Sequence, residues 1–521
     1  MTKHLTRSIA LLAGAALLTA GFSRPAVAQD LVLDVSGGIL FEPWNFTVTG
    51  TPPGQFWVVA LADTTGPLPI AFIDPTDTRA FSLDISMFSY GGAYGTTPEP
   101  FPALQILNNF PTLVGLSAKL YGQAFTLPGP TTLIDKLSNN VVIVVAGPHG
   151  TSTDCLDVPI KTRGFMPGAV MPNGDHIVFG GNDGALQGGT YLKTTERYDR
   201  KMQDVTSGPD MMIERAFASA AALNNGKILV CGGNDDLNNT LTSAELYDPA
   251  TNTVVPTGPM TQKRYFHSIV KLQDGRVMVL GGSTQVDNTT PLNAALAIVS
   301  SATDSVEIYN PATGTWSNAA PMPWKRTGLA VSLLPNGRVL AATGAGPGLF
   351  SLPSFFNTAA IYNPATNTWS STGSVPGTSR ALASVGTLVD GRIVLSGGAT
   401  GSITSFSFNA IADVSMFNPA TNTWAAGAPM NSPRCGHSVT SLPTGTFVVC
   451  GGGVGSVLAP TVLTSVENFD GTSWTVLGNM NHERAFHYAA PTHDGQRIFL
   501  FGGIETGGVA ALQPTCELFA P

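Results

Sequence analysis

Seven arginines stand at positions 163, 215, 264, 326, 380, 434 and 484, and three are followed three residues later by a histidine: His267, His437 and His487. A guanidinium offers five donors for carboxylates or backbone carbonyls, and an imidazole can move a proton or hold a metal. Glu196, Glu245, Glu307, Glu467 and Glu517 recur downstream as ion-pair partners for five of the arginines. Ala360 and Ser415 take the glutamate's place after Arg326 and Arg380, so these two are the arginines expected to meet a ligand. Trp324, in "PMPWKR", adds an indole suited to stacking on a sugar. The candidate ligand-binding residues are Trp324, Arg326, Arg380, Arg264, His267, His437 and His487. Against them stands a structural reading, in which the arginines cap backbone carbonyls and the histidines bond to backbone. The chain holds no Gly-x-Ser-x-Gly, His-Glu-x-x-His or phosphate-loop motif.

Repeated elements must position these residues. Apolar runs closed by two glycines occur as "HIVFGG", "KILVCGG", "RVMVLGG", "RIVLSGG", "TFVVCGG" and "RIFLFGG", with a degenerate "RVLAATGAG" at Arg338. The markers lie 49 to 63 residues apart. Turns such as "PNG", "NNG", "QDG", "VDG" and "HDG" separate each arginine from the following run, and such dipeptides favour two-residue hairpins. A second phrase, "YDPATNTV", "YNPATGTW", "YNPATNTW" or "FNPATNTW", reads as strand, Asx-Pro turn, strand. Each repeat is therefore four strands: a from the arginine, b into the glycines, c into the aromatic, d through the tryptophan.

Arg-x-x-His-Ser, Gly-Gly, Tyr-x-Pro and Thr-x-x-Trp together resemble the kelch motif, and seven copies look like a seven-bladed kelch β-propeller over residues 150–521. The resemblance implies an all-β fold. Alternating strands would put turns a–b and c–d on one face and the long connections on the other, at residues 182–193, 283–304, 347–357 and 399–410. The arginines, beginning the innermost strands, are expected around the channel mouth on that long-loop face. The histidine positions are similar to those of secreted copper radical oxidases of the galactose oxidase kind, which place a tyrosine before the histidine. Here Phe266, Gly436 and Phe486 occupy that place, so no cofactor is expected. The reading is a non-catalytic binding module for an extracellular glycan or protein. The alternative is a carbohydrate-active or galactose-oxidase-like enzyme at the channel mouth.

Composition sets the surroundings. Charged residues make up only 12% of the chain and the net charge is −8, with 58 glycines and 38 prolines. That balance offers no basic footprint for nucleic acid. Lys3 and Arg7, an apolar run and "AVA" at 26–28 read as an export leader over residues 1–28, cut between Ala28 and Gln29. The mature chain is expected outside the cytoplasm, secreted, periplasmic or at the cell surface, without a membrane span. Residues 29–148 alternate without the repeat markers and read as a small β-sandwich-like domain, followed by the propeller at 149–521. The seventh repeat lacks strand d, and "DCLDVPIK" at 154–161 is expected to supply it beside "TCELF". That pairing would set Cys155 and Cys516 on neighbouring strands, as a disulfide requires.

Overall fold

The computed structural model describes residues 150–521 except 156–158, 185–188, 201–203, 403–406, 443–444, 446, 457–459 and 508–510, together with the backbone of eight strands between residues 32 and 145. The chain divides into two compact units, Met1–Val145 and Ala146–Pro521. In the first, Gly92–Thr96, Phe56–Ala62, Ala118–Thr126 and Leu137–Val145 form one antiparallel sheet in that order. Val32–Ser36 pairs with Asn45–Thr49, and Thr65–Pro69 with Ala80–Leu83. The expected leader and its cleavage site lie outside the described residues.

The second unit is a seven-bladed, all-β propeller. Each blade is a four-stranded antiparallel sheet in the order a-b-c-d. Blade 3 shows the pattern: a is Ser268–Lys271, b is Val277–Leu280, c is Val306–Asn310 and d is Thr315–Ala319. Strands b are buried at every position, as in Ile228–Cys231, Val277–Leu280 and Ile498–Phe501. Strands a of neighbouring blades lie side by side around the ring, from blade 1 to blade 7 and back.

The recurring phrase "NPAT-T-W" builds the outer hairpin and stitches it to the blade before. The Asn310, Asn363 and Asn418 carboxamides accept from the backbone N–H two residues on, at 3.0, 3.1 and 2.9 Å. The residue between the two threonines takes a left-handed φ of +52 to +68°, which Asn252, Gly314, Asn367 and Asn422 tolerate. The Trp316, Trp369 and Trp474 indoles then donate to the Gly258, Ala320 and Ala428 carbonyls of the preceding blade, at 2.7 to 2.9 Å.

The paired glycines serve the blade that follows. In all seven blades the second residue of the pair donates its N–H to the carbonyl of the next blade's arginine, at 2.8 to 3.0 Å. The last of these bonds, from Gly503 to Arg163, returns to blade 1. Blade 4 departs from the pattern: Thr343 stands where the first glycine belongs, with φ +61°. Its side chain is 1% exposed, and its hydroxyl finds no partner among the described residues. The neighbouring blade carries Ala383 at the place of the motif histidine, which leaves room for the threonine. Thr343→Gly should raise stability by about 1 kcal/mol, because a left-handed L-residue and a buried unpaired hydroxyl together outweigh the entropy glycine adds to the unfolded chain. A melting temperature that stays level or drops would refute this.

Blade 7 closes with a strand from before the repeats, Thr151–Asp154, which pairs antiparallel with Cys516–Ala520. Strand d is therefore earlier than the expected segment 154–161 and shares only Asp154 with it. The register follows from the flanking backbone bonds, Gly150 N–H to Ala520 O at 2.7 Å and Cys155 N–H to Cys516 O at 2.9 Å. Cys155 is thus already beyond the strand. Although it lies beside Cys516, no disulfide joins them, and all five cysteines are buried thiols. The expected bridge is corrected accordingly. Burial pushes the Cys155 thiol well up, with the hydrogen bond to Cys516 acting in the same direction.

Candidate binding face

The long connections gather on one face and form elements of their own. Between strands b and c of blade 3, Pro291–Ser300 is an α-helix, where the sequence suggested an irregular loop. Thr290 caps it by accepting from the Asn293 N–H at 3.0 Å, and proline follows directly, a helix start hidden inside a turn-rich segment. In blade 4, Ala345–Pro347 pairs with Pro353–Phe355, and in blade 5, Ala399–Ser402 pairs with Ser407–Ala410. The helix residues Leu296, Ile298 and Val299 pack with Ala345, Phe355, Ala381 and Phe408 of the next two blades. Ile298 also packs against the cluster of Tyr191, Phe217 and Tyr265 from blades 1 to 3.

Beneath lies a ring that the sequence reading missed. The residue two after the motif arginine is left-handed in every blade: Phe165, Phe217, Phe266, Gly328, Leu382, Gly436 and Phe486, with φ from +51 to +62°. Their backbones link across blades, Phe217 N–H to Phe165 O at 3.1 Å, Phe266 to Phe217 at 3.2 Å and Leu382 to Gly328 at 3.0 Å. Four phenyl rings pack in sequence, tilted by 34 to 42°, with centroids 5.1 Å apart for Phe486–Phe165, 4.6 Å for Phe165–Phe217 and 4.4 Å for Phe217–Phe266. The only sequence sign was Arg-x-Phe at four of the seven repeats.

The motif arginines do not line a mouth. Six are 0% exposed and Arg326 is 3% exposed. Arg264 is representative: it donates to the Gly281 and Ser305 carbonyls at 2.9 and 3.1 Å and pairs with Glu307 at 2.8 Å. Glu307 also accepts the Thr261 and Gln262 N–H groups at 2.7 and 3.0 Å, so the pair pins a d–a connection onto strand c. Arg163, Arg215, Arg434 and Arg484 pair with Glu196, Glu245, Glu467 and Glu517 in the same way. Burial pulls the Arg264 guanidinium down, and Glu307 offsets it. Charge satisfaction places these side chains inside, because a buried guanidinium is tolerated only with a carboxylate and carbonyls around it.

The two arginines without glutamate differ from each other. Arg380 donates to Ser415 Oγ at 2.7 Å, with Asp413 3.9 Å away. Arg326 leaves the usual slot. It donates to the Lys325 carbonyl at 3.0 Å and to Thr358 Oγ1 at 3.2 Å. Its guanidinium lies 3.4 Å from the Phe356 ring centre and 5.4 Å from that of Trp324. Burial lowers both Arg326 and Arg380 to about 10, so each keeps its charge at neutral pH. Trp324 itself is half-buried, in the connection between blades 3 and 4.

The histidines are framework as well. His267 Nε2 lies 3.7 Å from Cys231 Sγ, His437 Nε2 3.0 Å from Ser396 Oγ, and His487 Nε2 2.8 Å from Ser438 Oγ. These Nε2 partners are side chains, and the backbone of Arg434 and Arg484 acts on His437 and His487 besides. Burial drives His267 and His487 down to about 3 and His437 well below its ordinary value, so all three are neutral at neutral pH. Their Nε2 atoms face sulfur or hydroxyl groups, and Phe266, Gly436 and Phe486 supply no phenolate. Among the described residues no three His, Cys, Asp or Glu side chains converge on a point that would hold a metal ion. The donor set does not fit a copper centre.

Polar groups do converge above the phenyl ring, from the connections of blades 1 to 3. The Tyr191 hydroxyl accepts from Asn234 Nδ2 at 3.2 Å and Asn288 Nδ2 at 3.4 Å, and Asn288 also donates to Asn238 Oδ1 at 2.9 Å. Asp236 accepts the Tyr191 N–H. Burial, then the nearby Glu214, Asp183 and Asp235 carboxylates, raise Asp236. Asp235 is committed to its own loop, accepting the Leu237 and Asn239 N–H groups at 3.0 and 2.7 Å.

A family profile described as "Kelch motif" matches residues 215–261 and 272–323, within blades 2 and 3. The chain is 29% identical over 275 residues to the kelch-like protein terF of Aspergillus terreus, covering 42% of this chain and 59% of that one. It is 35% identical over 71 residues to galactose oxidase of Gibberella zeae, 13% of this chain and 9% of that one. A solved structure of a fungal alcohol oxidase of the AA5 family, in complex with copper, superposes with a TM-score of 0.54 at 17% identity, covering 72% of this chain and 76% of that one. The chain thus carries kelch motifs in a seven-bladed β-propeller, and is homologous to a kelch-like protein and to galactose oxidase. It spans little more than half of the kelch-like protein and under a tenth of the galactose oxidase.

Proposed function

We propose that this chain is an exported, non-catalytic binding module that takes an extracellular glycan or protein on the long-loop face of its propeller. The observation that carries the reading is the cross-blade network of Tyr191, Asn234, Asn238 and Asn288. Side chains from three blades are held together there on a rigid ring, which is how loops on a fixed scaffold present a binding surface. Trp324 adds a half-buried indole on the same face. The export leader at 1–28, the location outside the cytoplasm and a sandwich-like packing of residues 29–148 belong to this proposal. Arg264, Arg380, His267, His437 and His487 act in it as supports for the loops. Arg326 contributes through its stack with Trp324. The oxidase reading has the shared fold in its favour, and the missing tyrosine and the deeply buried histidines against it.

A glycan array and a pull-down with extracellular proteins, both using the mature chain, test the reading. Trp324→Ala should weaken the ligand found by about tenfold, the worth of one aromatic stack, with the melting temperature unchanged. Failure to retain any ligand, or a variant that binds as tightly as the native chain, would sink it.

A further inference from the structure

We propose that the blade 4 connection is a lipid-docking finger whose tip, Leu349–Phe350–Leu352, inserts into the interface of a neutral membrane surface. Leu349 is 77% exposed, Phe350 87% and Leu352 53%. Their exposure is built in. Gly348 N–H donates to Leu352 O at 2.7 Å, and Ala345↔Phe355, Gly346↔Ser354 and Pro347↔Pro353 pair below. Phe355 packs edge-on against Phe408 at 6.1 Å, which anchors the finger to blade 5. Phe350 and Ser351 hold left-handed φ of +54 and +60°, a strained conformation for residues with a Cβ.

The chemistry around the tip selects its occupant. Residues 339–379 contain no charged side chain. At the finger's base, Gly346 lies against the Lys325 carbonyl, which brings Trp324 and the exposed Lys325 beside it. Leu292, at the start of the neighbouring helix on the same face, is 40% exposed. An apolar tip with an indole and a lysine at its root matches the layering of a bilayer interface, where acyl chains, carbonyl belt and headgroups follow in that order. A protein partner would instead meet a rim of charged side chains, which residues 345–355 do not offer. With a net charge of −8 and no cationic cluster on the finger, the surface it fits is zwitterionic rather than anionic.

Flotation of the full chain with phosphatidylcholine vesicles, read alongside quenching of tryptophan by brominated acyl chains, tests the proposal. The native chain should float and be quenched, to the same extent in low and high salt. Phe350→Asp should lower the partition coefficient at least tenfold with an unchanged melting temperature, since one large apolar side chain leaves the lipid and a charge takes its place. Absence of flotation, flotation of the variant like the native chain, or binding confined to anionic vesicles and lost in salt would each overturn it. So would self-association, seen by sedimentation and removed by Phe350→Asp, in a chain that ignores vesicles; a second copy would then be the occupant.

Discussion

Glu307→Ala should cost the propeller about 3–5 kcal/mol of stability, read as a lowered urea midpoint. Arg264 and Glu307 are both 0% exposed, and the carboxylate accepts from Arg264, Thr261 and Gln262. Alanine would leave a guanidinium in the interior with only carbonyls and a serine hydroxyl, and two loop N–H groups without an acceptor. Removing one partner of a buried pair is far costlier than the net worth of the pair, because the remaining charge stays desolvated. Blade 4 supplies the comparison. Arg326 has no acidic partner among the described residues and lies on Phe356, so Arg326→Met should cost clearly less than Arg264→Met. A Glu307→Ala loss under about 1 kcal/mol would show that the ring of ion pairs contributes little.

Gly232→Val should destabilise by roughly 3 kcal/mol or more, and a native-like melting temperature would contradict the placement. Gly232 has φ +64°, and a Cβ there would lie 2.5 Å from the Arg264 carbonyl and 2.7 Å from His267 Cε1. Both belong to the next blade, so the added methyls meet a neighbour that is itself held by the Arg264–Glu307 pair and by the Gly233 N–H to Arg264 O bond. A Cβ added at Gly180, Gly281, Gly397, Gly451 or Gly502 would likewise clash with the following blade's arginine carbonyl. The motif glycines and arginines are therefore two sides of one contact between blades.

The blades were legible because their signals are local: Asn-Gly and Asp-Gly turns, the Asn-Pro-Ala-Thr turn and an apolar strand b repeat at fixed offsets. The helix at Pro291–Ser300 was not, since ten residues in a long connection carry too short a period to stand out. The closing strand is expected three residues late at its start, because "DCLDVPIK" is the spare stretch before Arg163, whereas the register is set by bonds at Gly150 and Cys155. The arginines were assigned to the channel because they begin strand a. Only the glutamates' backbone partners, which no spacing reveals, turn them inward. The phenylalanine ring depends on left-handed backbone at Phe165, Phe217, Phe266 and Phe486, a conformation that phenylalanine does not advertise.

Blade 7 joins residues 151–154 to residues 516–520, and the contact between Ser152 and Glu517 spans 365 positions of the chain. During synthesis the first of these segments must wait, unpaired, while six complete sheets are made. Pairing so distant in the chain carries the largest loop-closure entropy in the molecule and comes last in folding. Until then Phe499, Phe501 and Leu518, all buried in the finished ring, face solvent along an open seam. The order of assembly keeps the ring open until the final residues of that sheet exist.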